Sequence, residues 1–182
     1  MKPQPILETS RLLLRTFTQA DAPVVASLAS AREIAAMTLL IPHPYTLDHA
    51  SGWISTHAGE WAADKSATWA ITLKSDGSLL GAIGLHYTRA HQRAEIGYWI
   101  GVPSWGHGYA TEAARAVVRC GFELLGLNRI YASHHQHNTA SGNVLKKCGM
   151  LYEGTRRQDV LKWGEYQDSV AYAILRSEFA PS

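Results

Sequence analysis

Two glycines flank a histidine at Gly106-His107-Gly108, between the apolar run of residues 94–102 and an alanine-rich stretch that starts at Ala110. A strand that leads through a glycine-rich turn into a helix forms an anion site, because unpaired N–H groups converge there and the helix N-terminus carries about half a positive charge. Glycine suits such a site because a Cβ atom would hold a phosphate away from the backbone. Glycine also occurs in turns that bind nothing, so the turn alone leaves an anion site and an ordinary helix start both open.

Two nucleotide motifs are excluded at this turn. A P-loop requires Gly-x4-Gly-Lys-Ser/Thr, and no lysine follows the second glycine. A dinucleotide fingerprint requires a third glycine at position 111, where the sequence has Thr111. A diphosphate site of another kind remains.

The segment SHHQH at 133–137 raises the question of a metal site. Side chains alternate along a strand, so His135 and His137 share one face and His134 lies on the other. A third zinc ligand would then have to come from elsewhere in the chain. We therefore predict no metal, and we interpret these histidines as polar strand residues near a cleft, with a histidine able to take part in proton transfer.

Composition places the chain among ordinary globular proteins. It has 182 residues, 46% of them hydrophobic and 18% charged, with a formal net charge of +2, whereas disordered chains combine few apolar residues with high net charge. The length predicts one domain over residues 1–182, and the small net charge predicts no nucleic-acid partner. We predict no membrane association, because no apolar run approaches the roughly 20 residues of a spanning helix. No secretory signal is recognisable, so we expect a cytoplasmic protein. Cys120 and Cys148 are too far apart for a CxxC motif and are predicted to be buried and reduced.

The segments that position the turn alternate between strand and helix periodicity. Strands are predicted at residues 11–17, 68–74, 79–88, 94–102 and 128–137, and two more within 160–175. Helices are predicted at 18–30, 46–65, 110–125 and 138–149. This order indicates an α/β protein of the α+β kind, with one mixed sheet and helices packed on it.

Four motifs in this order resemble the GNAT N-acetyltransferases, in particular the RimJ/RimL-like branch that acetylates ribosomal proteins. They are LETSRLLLRTFTQAD at the start, EIGYWIGVPSWGHGYATEA, NTASGNVLKKCGM and GEYQD near the end, so the resemblance runs from about residue 7 to residue 175. It implies a twisted, mostly antiparallel sheet of about six or seven strands flanked by about four helices. It also implies acetyl-CoA as the acetyl-donating cosubstrate.

The resemblance assigns the cosubstrate site. Residues 105–110 match the pyrophosphate loop of the family, with Trp105 where Gln or Arg is common. Backbone N–H groups of residues 107–111 are expected to hold the phosphates, and the strand is expected to pair with the pantetheine arm around Ile100 and Val102. The implied cofactor-binding residues are Ile100, Val102, His107, Gly108, Tyr109, Ala110, Thr111, Asn138, Asn143 and Lys147.

Two residues are implied as catalytic. Glu95 is expected to act as general base on the amine, directly or through water, with an exposed strand residue or a structural ion pair as the alternative. The tyrosine that much of the superfamily uses as general acid is replaced by Leu145. Ser141 occupies the place of the serine implicated in the RimL-like branch, with a hydrogen bond to the helix backbone as the alternative. Asn138 is expected either to cap its helix or to bind the pantetheine amides.

The reaction expected from the resemblance is direct attack of an amine on the thioester in a ternary complex. A protein N-terminal amine is the favoured acceptor. A small amine (aminoglycoside, amino acid or polyamine) and a non-catalytic acyl-CoA-binding module are the alternatives. Trp53, Trp61, Trp69, Tyr45 and Tyr166 are either lining of an acceptor pocket or core residues, and a monomer and a homodimer are both compatible with the sequence.

Overall fold

The structure is a computed structural model that describes residues 3–180. Within this range the strands are β1 (Leu7–Glu8), β2 (Leu12–Arg15), β3 (Ser66–Leu73), β4 (Leu79–Thr88), β5 (Arg93–Ile100), β6 (Arg129–His135), β7 (Leu151–Lys162) and β8 (Glu165–Leu175). The α-helices of the same range are α1 (Ala22–Ala29), α2 (Arg32–Met37), α3 (Leu47–Ala62), α4 (Tyr109–Glu123) and α5 (Thr139–Lys147).

All eight strands belong to one sheet, in the order β1-β2-β3-β4-β5-β6-β8-β7. Neighbouring strands run antiparallel except β5 and β6, which are parallel. This parallel pair is short: it joins Arg93 to Arg129, Ala94 to Ile130 and Glu95 to Tyr131. Beyond these three pairs, β5 and β6 are not hydrogen-bonded to each other, so the sheet opens between them.

The helices lie in two layers on either side of the sheet. Alternate residues of β5 point to opposite faces of the sheet. Ile96 and Ile100 belong to the core that includes α4. Trp99 packs on the other face with α1 and α3, around Val25 and Ile54. α5 packs beside α4 and against β6. The opening between β5 and β6 is therefore flanked by α4 and α5 on one face of the sheet.

The predicted mixed α/β sheet is confirmed, with small differences in the elements. The additional strand β1 has two residues and the additional helix α2 has six, too few to produce a recognisable period in the sequence. The predicted final hairpin is present, but its first strand starts at Leu151 and not near residue 160. Among the described residues no helix has the length and apolar character needed to cross a membrane.

Candidate active site

The Gly-His-Gly turn leads directly into α4. Gly106 and Gly108 both have φ of 78°, a left-handed conformation that costs an L-residue with a side chain roughly 1–2 kcal/mol. A Cβ on Gly106 would meet nothing within 4 Å, and one on Gly108 would meet only Nη2 of Arg11, at 3.7 Å. Conformation, and not crowding by protein atoms, therefore requires glycine at these positions.

The N–H groups around this turn are available to a ligand. In the described chain, residues 3–180, the N–H groups of residues 106–111 donate to no other backbone group, and the first bond of α4 runs from Glu112 N to Gly108 O at 3.1 Å. An α-helix leaves its first N–H groups without partners inside the helix. The geometry of the turn thus fits a diphosphate, which needs several converging donors and an approach free of Cβ atoms.

Glu112, in the first turn of α4, attaches the helix to the start of the chain. Its carboxylate accepts hydrogen bonds from Thr9 Oγ1 at 2.6 Å, Ser10 Oγ at 3.0 Å, Arg11 N at 2.9 Å and Arg11 Nε at 2.7 Å. Burial opposes the charge of Glu112, but these hydrogen bonds outweigh it and lower the pKa of the carboxyl to about 2. The turn is consequently held by an ionised carboxylate over the whole neutral range.

The side chains of the turn are ordered by hydrogen bonds and ring contacts. Arg11 Nη1 donates to His107 O at 3.0 Å, and the guanidinium lies 4.6 Å from the centre of the Tyr109 ring. The His107 and Tyr109 rings stack at 5.5 Å. Trp105 Nε1 donates to Ile100 O at 2.6 Å, so the residue that departs from the common family pattern ties the turn to the end of β5.

The edge of β5 that faces β6 is free beyond Glu95. Gly101 N donates to Leu80 O, which directs the odd-numbered residues of β5 to β4 and the even-numbered ones to the opening. Because the last parallel bridge, Glu95 with Tyr131, engages the N–H of Ile96, the groups of this edge left unpaired by β6 are the carbonyl of Ile96 and the backbone groups of Tyr98 and Ile100. The Ile100 carbonyl already accepts the indole of Trp105, and Val102 begins a 3-10 turn, Val102–Ser104. The free groups are consequently centred nearer Tyr98 than the expected Ile100 and Val102.

α5 presents its N-terminus to the same opening. Asn138 caps this helix, because its Oδ1 accepts from Ser141 N at 3.1 Å. Ser141 Oγ lies 2.8 Å from the hydroxyl of Tyr98. The Ser141 hydroxyl thus contacts a side chain of β5, and within residues 3–180 it makes no hydrogen bond to the backbone of α5, which was the alternative considered for it. Burial raises the pKa of the Tyr98 phenol well above its ordinary value, so that hydroxyl keeps its proton.

Glu95 lies where β5 and β6 part. It is exposed, stands opposite His86 of β4 and Tyr131 of β6, and points away from the face of α4 and α5, since its neighbours Ala94 and Ile96 are buried toward that face. Glu95 and Ser141 thus approach the opening from opposite faces of the sheet. That arrangement suits a base and an acid that act on two different substrates.

Two of the other expected cosubstrate ligands lie on α5. Asn143 and Lys147 are exposed, and Cys148, which follows α5, has its Sγ 3.9 Å from Thr111 O in the first turn of α4. The C-terminal end of α5 is therefore close to the first turn of α4. Leu145 is fully buried in the core and has no proton to donate. Cys120 and Cys148 are buried free thiols, as predicted.

The histidine segment has the predicted alternation. The rings of His135 and His137 stack at 5.5 Å, whereas His134 stacks on Tyr172 across the strand pair. Within residues 3–180 no group of three or more His, Cys, Asp or Glu is arranged to hold a metal ion. Burial lowers the pKa of His135, so this imidazole is neutral at physiological pH.

The five aromatic residues considered for an acceptor pocket do not form one group, although Tyr45 and Trp53 pack against the same small cluster. Trp69 is fully buried in the main core and donates to Pro5 O, which excludes it from a pocket wall. Trp53 packs in the cluster of α1 and α3, and Trp61 packs against the main core. Tyr166 is exposed on the β7–β8 hairpin. The acceptor-pocket interpretation is therefore wrong for Trp69 and is not supported for the set as a whole.

Comparison with known proteins identifies the class. The sequence profile of the acetyltransferase (GNAT) domain matches residues 11–151, and the chain belongs to the GNAT acetyltransferase family. It is 36% identical to the uncharacterized N-acetyltransferase YoaA of Bacillus subtilis over 173 residues, which cover 94% of this chain and 97% of that protein. The predicted class of enzyme, an N-acetyltransferase, is thereby confirmed.

Two further likenesses concern the ribosomal-protein branch. The chain is 38% identical over 105 residues, 57% of each protein, to YdaF of Bacillus subtilis, which is provisionally named as a ribosomal N-acetyltransferase. A RimL ribosomal L7/L12 α-N-protein acetyltransferase, solved in complex with coenzyme A, shares the fold with a TM-score of 0.87 at 16% identity, over 94% of this chain and 98% of that one. CoA is therefore bound by a protein that shares this fold.

Sequence reasoning missed two contacts that build the site, the ion pair of Arg11 with Glu112 and the hydrogen bond between Tyr98 and Ser141. Each joins residues far apart in sequence, 101 positions for the first and 43 for the second. The only local signal was the run Thr9-Ser10-Arg11, whose three polar residues all bond to one carboxylate.

Proposed function

We propose that this enzyme transfers the acetyl group of acetyl-CoA to the α-amine of a protein N-terminus, by direct attack within a ternary complex. The observation that carries the proposal is the opening of the sheet after Glu95 and Tyr131. The anion turn follows β5 directly, and Ser141 of α5 reaches that strand through Tyr98. A donor with a diphosphate at one end and a thioester at the other matches this succession of sites.

In this proposal the N–H groups of residues 107–111 bind the diphosphate, and Lys147 and Asn143 meet the adenosine end. The free edge of β5 binds the pantetheine amides as an added strand would, together with the side-chain amide of Asn138. Acetyl-CoA supplies an activated acyl group. Glu95 removes the proton that the amine loses on attack, and Ser141 donates a hydrogen bond to the departing sulfur.

The surface on the Glu95 side of the sheet favours binding of a peptide acceptor over binding of a polycationic amine. An open depression of about 310 Å³ lies beside Tyr131, and its charged lining consists of Arg93, Arg129, Arg156 and Glu153. Arg129 pairs with Glu153 and Arg156 pairs with Asp159, so the acidic residue of this lining is already neutralised and offers no counter-charge to the several positive charges of a polyamine or aminoglycoside. A protein N-terminus brings one amine and a backbone with hydrogen-bonding groups, which an open surface accommodates. We propose that the enzyme acts in the cytoplasm, where such acceptors and acetyl-CoA occur together.

A panel of acceptors tests the proposal. The purified protein is incubated with acetyl-CoA and with peptides that have free N-termini, the same peptides with a blocked N-terminus and an internal lysine, a polyamine and an aminoglycoside. Release of CoA thiol is measured, and mass spectrometry locates the acetyl group. We expect turnover with free N-termini and little with the blocked peptides. Turnover with the small amines alone would refute the acceptor, and binding of acetyl-CoA without turnover on any amine would favour a non-catalytic module.

A further inference from the structure

Tyr98 connects β5 to α5 across the opening. It lies three residues beyond Glu95, on the part of β5 that β6 no longer covers. Its hydroxyl is 2.8 Å from Ser141 Oγ and 3.2 Å from the Ser141 carbonyl oxygen. Both distances are within hydrogen-bonding range, and the contact with Oγ is close to the usual O–H···O length.

Two proton arrangements are compatible with these distances. In the first, Ser141 donates to the phenol oxygen and Tyr98 donates to the Ser141 carbonyl. In the second, Tyr98 donates to Ser141 Oγ, which leaves the serine proton free to point into the opening. Negative charge that develops in the opening favours the second arrangement, because a serine that receives a hydrogen bond is the stronger donor to an anion.

The position of Tyr98 also bears on the missing superfamily tyrosine. Ser141 and Leu145 are four residues apart on α5 and therefore lie on the same side of the helix. Leu145 is fully buried there. This chain therefore lacks a phenol on the helix, but β5 supplies one to the same side of α5 at Ser141.

We propose that Tyr98 is a positioning residue that acts through Ser141: its phenol donates to Ser141 Oγ and directs the serine proton to the sulfur of the departing CoA. This inference rests on the function proposed above and adds a residue to its mechanism. The side chain of Tyr98 touches neither substrate in this role. Its own proton stays on the phenol throughout.

The transfer balances without any further reactant. The amine nitrogen forms a bond to the acetyl carbon and loses one proton to Glu95 or to water. The carbon–sulfur bond breaks, and the sulfur leaves with the electron pair as a thiolate that accepts a hydrogen bond from Ser141, which keeps its own proton. Solvent then protonates the thiolate, so the products are the amide and the free thiol of CoA.

Three variants and one control test the role of Tyr98. The variants are Tyr98→Phe, Ser141→Ala and the double substitution. The control is Tyr87→Phe, which removes another phenol of the sheet whose hydroxyl is buried and makes no hydrogen bond within the described residues. Melting temperatures show whether each variant folds, and fluorotyrosine at position 98 provides a second probe that keeps the hydroxyl and makes it a stronger donor.

The first measurement needs no acceptor. The thiol of bound CoA is titrated by the ultraviolet absorbance of its thiolate. We expect Tyr98→Phe and Ser141→Ala each to raise the pKa of the bound thiol by about one, the effect of one charge-assisted hydrogen bond. The double variant should match Ser141→Ala, fluorotyrosine should lower the pKa of the thiol, and Tyr87→Phe should leave it unchanged. A purely structural link between β5 and α5 does not produce this pattern.

The second measurement is turnover with the acceptor that the panel identifies. We expect Tyr98→Phe to lower kcat about tenfold while the Kd of acetyl-CoA stays within about twofold. In the Ser141→Ala background the same substitution should have no further effect. An unchanged thiol pKa in Tyr98→Phe, or an equal loss of kcat with and without Ser141, would overturn the inference. Absence of turnover in the wild-type protein would instead refute the proposed function, because the thiol titration tests Tyr98 independently.

Discussion

Glu112→Gln is predicted to destabilise the protein, because it weakens the hydrogen bonds and removes the ion pair that join α4 to the start of the chain. The carboxylate accepts four hydrogen bonds, from Thr9, Ser10 and two donor groups of Arg11. A glutamine of the same shape keeps one acceptor oxygen but places an N–H₂ group against these donors. The ion pair with Arg11, 2.7 Å long, is also lost.

The magnitude follows from the pKa of Glu112. A pKa of about 2 in the folded protein against the ordinary 4.5 corresponds to roughly 3 kcal/mol at neutral pH, at about 1.36 kcal/mol for each pKa unit. The side chain of Arg11 is 47% exposed, so solvent screening reduces the expected value to about 2 kcal/mol. Because the pKa is depressed, this contribution is complete above about pH 4.5 and is lost as the pH falls through about 2.

Urea unfolding near pH 7 and near pH 3 tests this prediction. We expect the wild type to exceed Glu112→Gln by about 2 kcal/mol near pH 7, and the difference to fall to less than half near pH 3. The control is Glu123→Gln, at the exposed far end of α4, which should change stability by less than about 0.5 kcal/mol. A Glu112→Gln variant as stable as the wild type, or a difference that does not depend on pH, would refute the electrostatic reasoning.

Three further predictions concern the site. Gly108→Val forces a β-branched residue to φ near 78° and should weaken acetyl-CoA binding by at least about tenfold in calorimetry, with the fold retained. The control Gly126→Val, with φ of 68° beyond the far end of α4, should strain the backbone and leave binding intact. Equal effects of the two substitutions on binding would contradict an anion-binding role for the turn. Trp105→Phe removes the indole donor and should cost about 1 kcal/mol in urea unfolding; unchanged stability would show that this hydrogen bond contributes nothing. Glu95→Gln and Ser141→Ala should each lower kcat at least about tenfold, both with the Kd of acetyl-CoA near wild type; a weaker Kd with normal kcat would reassign them to binding.

Local features of the sequence predicted the parts of the site that depend on local physics. Gly106 and Gly108 indicated a turn that only glycine adopts readily, and the apolar period from Ala110 indicated α4. The alternation of His134 and His135 followed from strand geometry. These inferences needed only residues within one or two turns of each other.

The remainder depended on contacts between distant segments. No periodicity shows that Glu112 bonds to the turn between β1 and β2, or that Tyr98 reaches Ser141. The order of the sheet, with β8 between β6 and β7, is likewise set by packing of the whole chain. Trp69 was considered for a pocket because an aromatic residue looks the same in a core and in a pocket wall until its burial is known. The organisation of the chain as one domain stays a prediction.

A crystal structure of the complex with CoA tests the central claim most directly. We predict that the diphosphate accepts hydrogen bonds from the N–H groups of residues 107–111 and that the sulfur lies in the opening between β5 and β6, beside Ser141. A diphosphate bound away from the turn, or a sulfur outside that opening, would contradict the account.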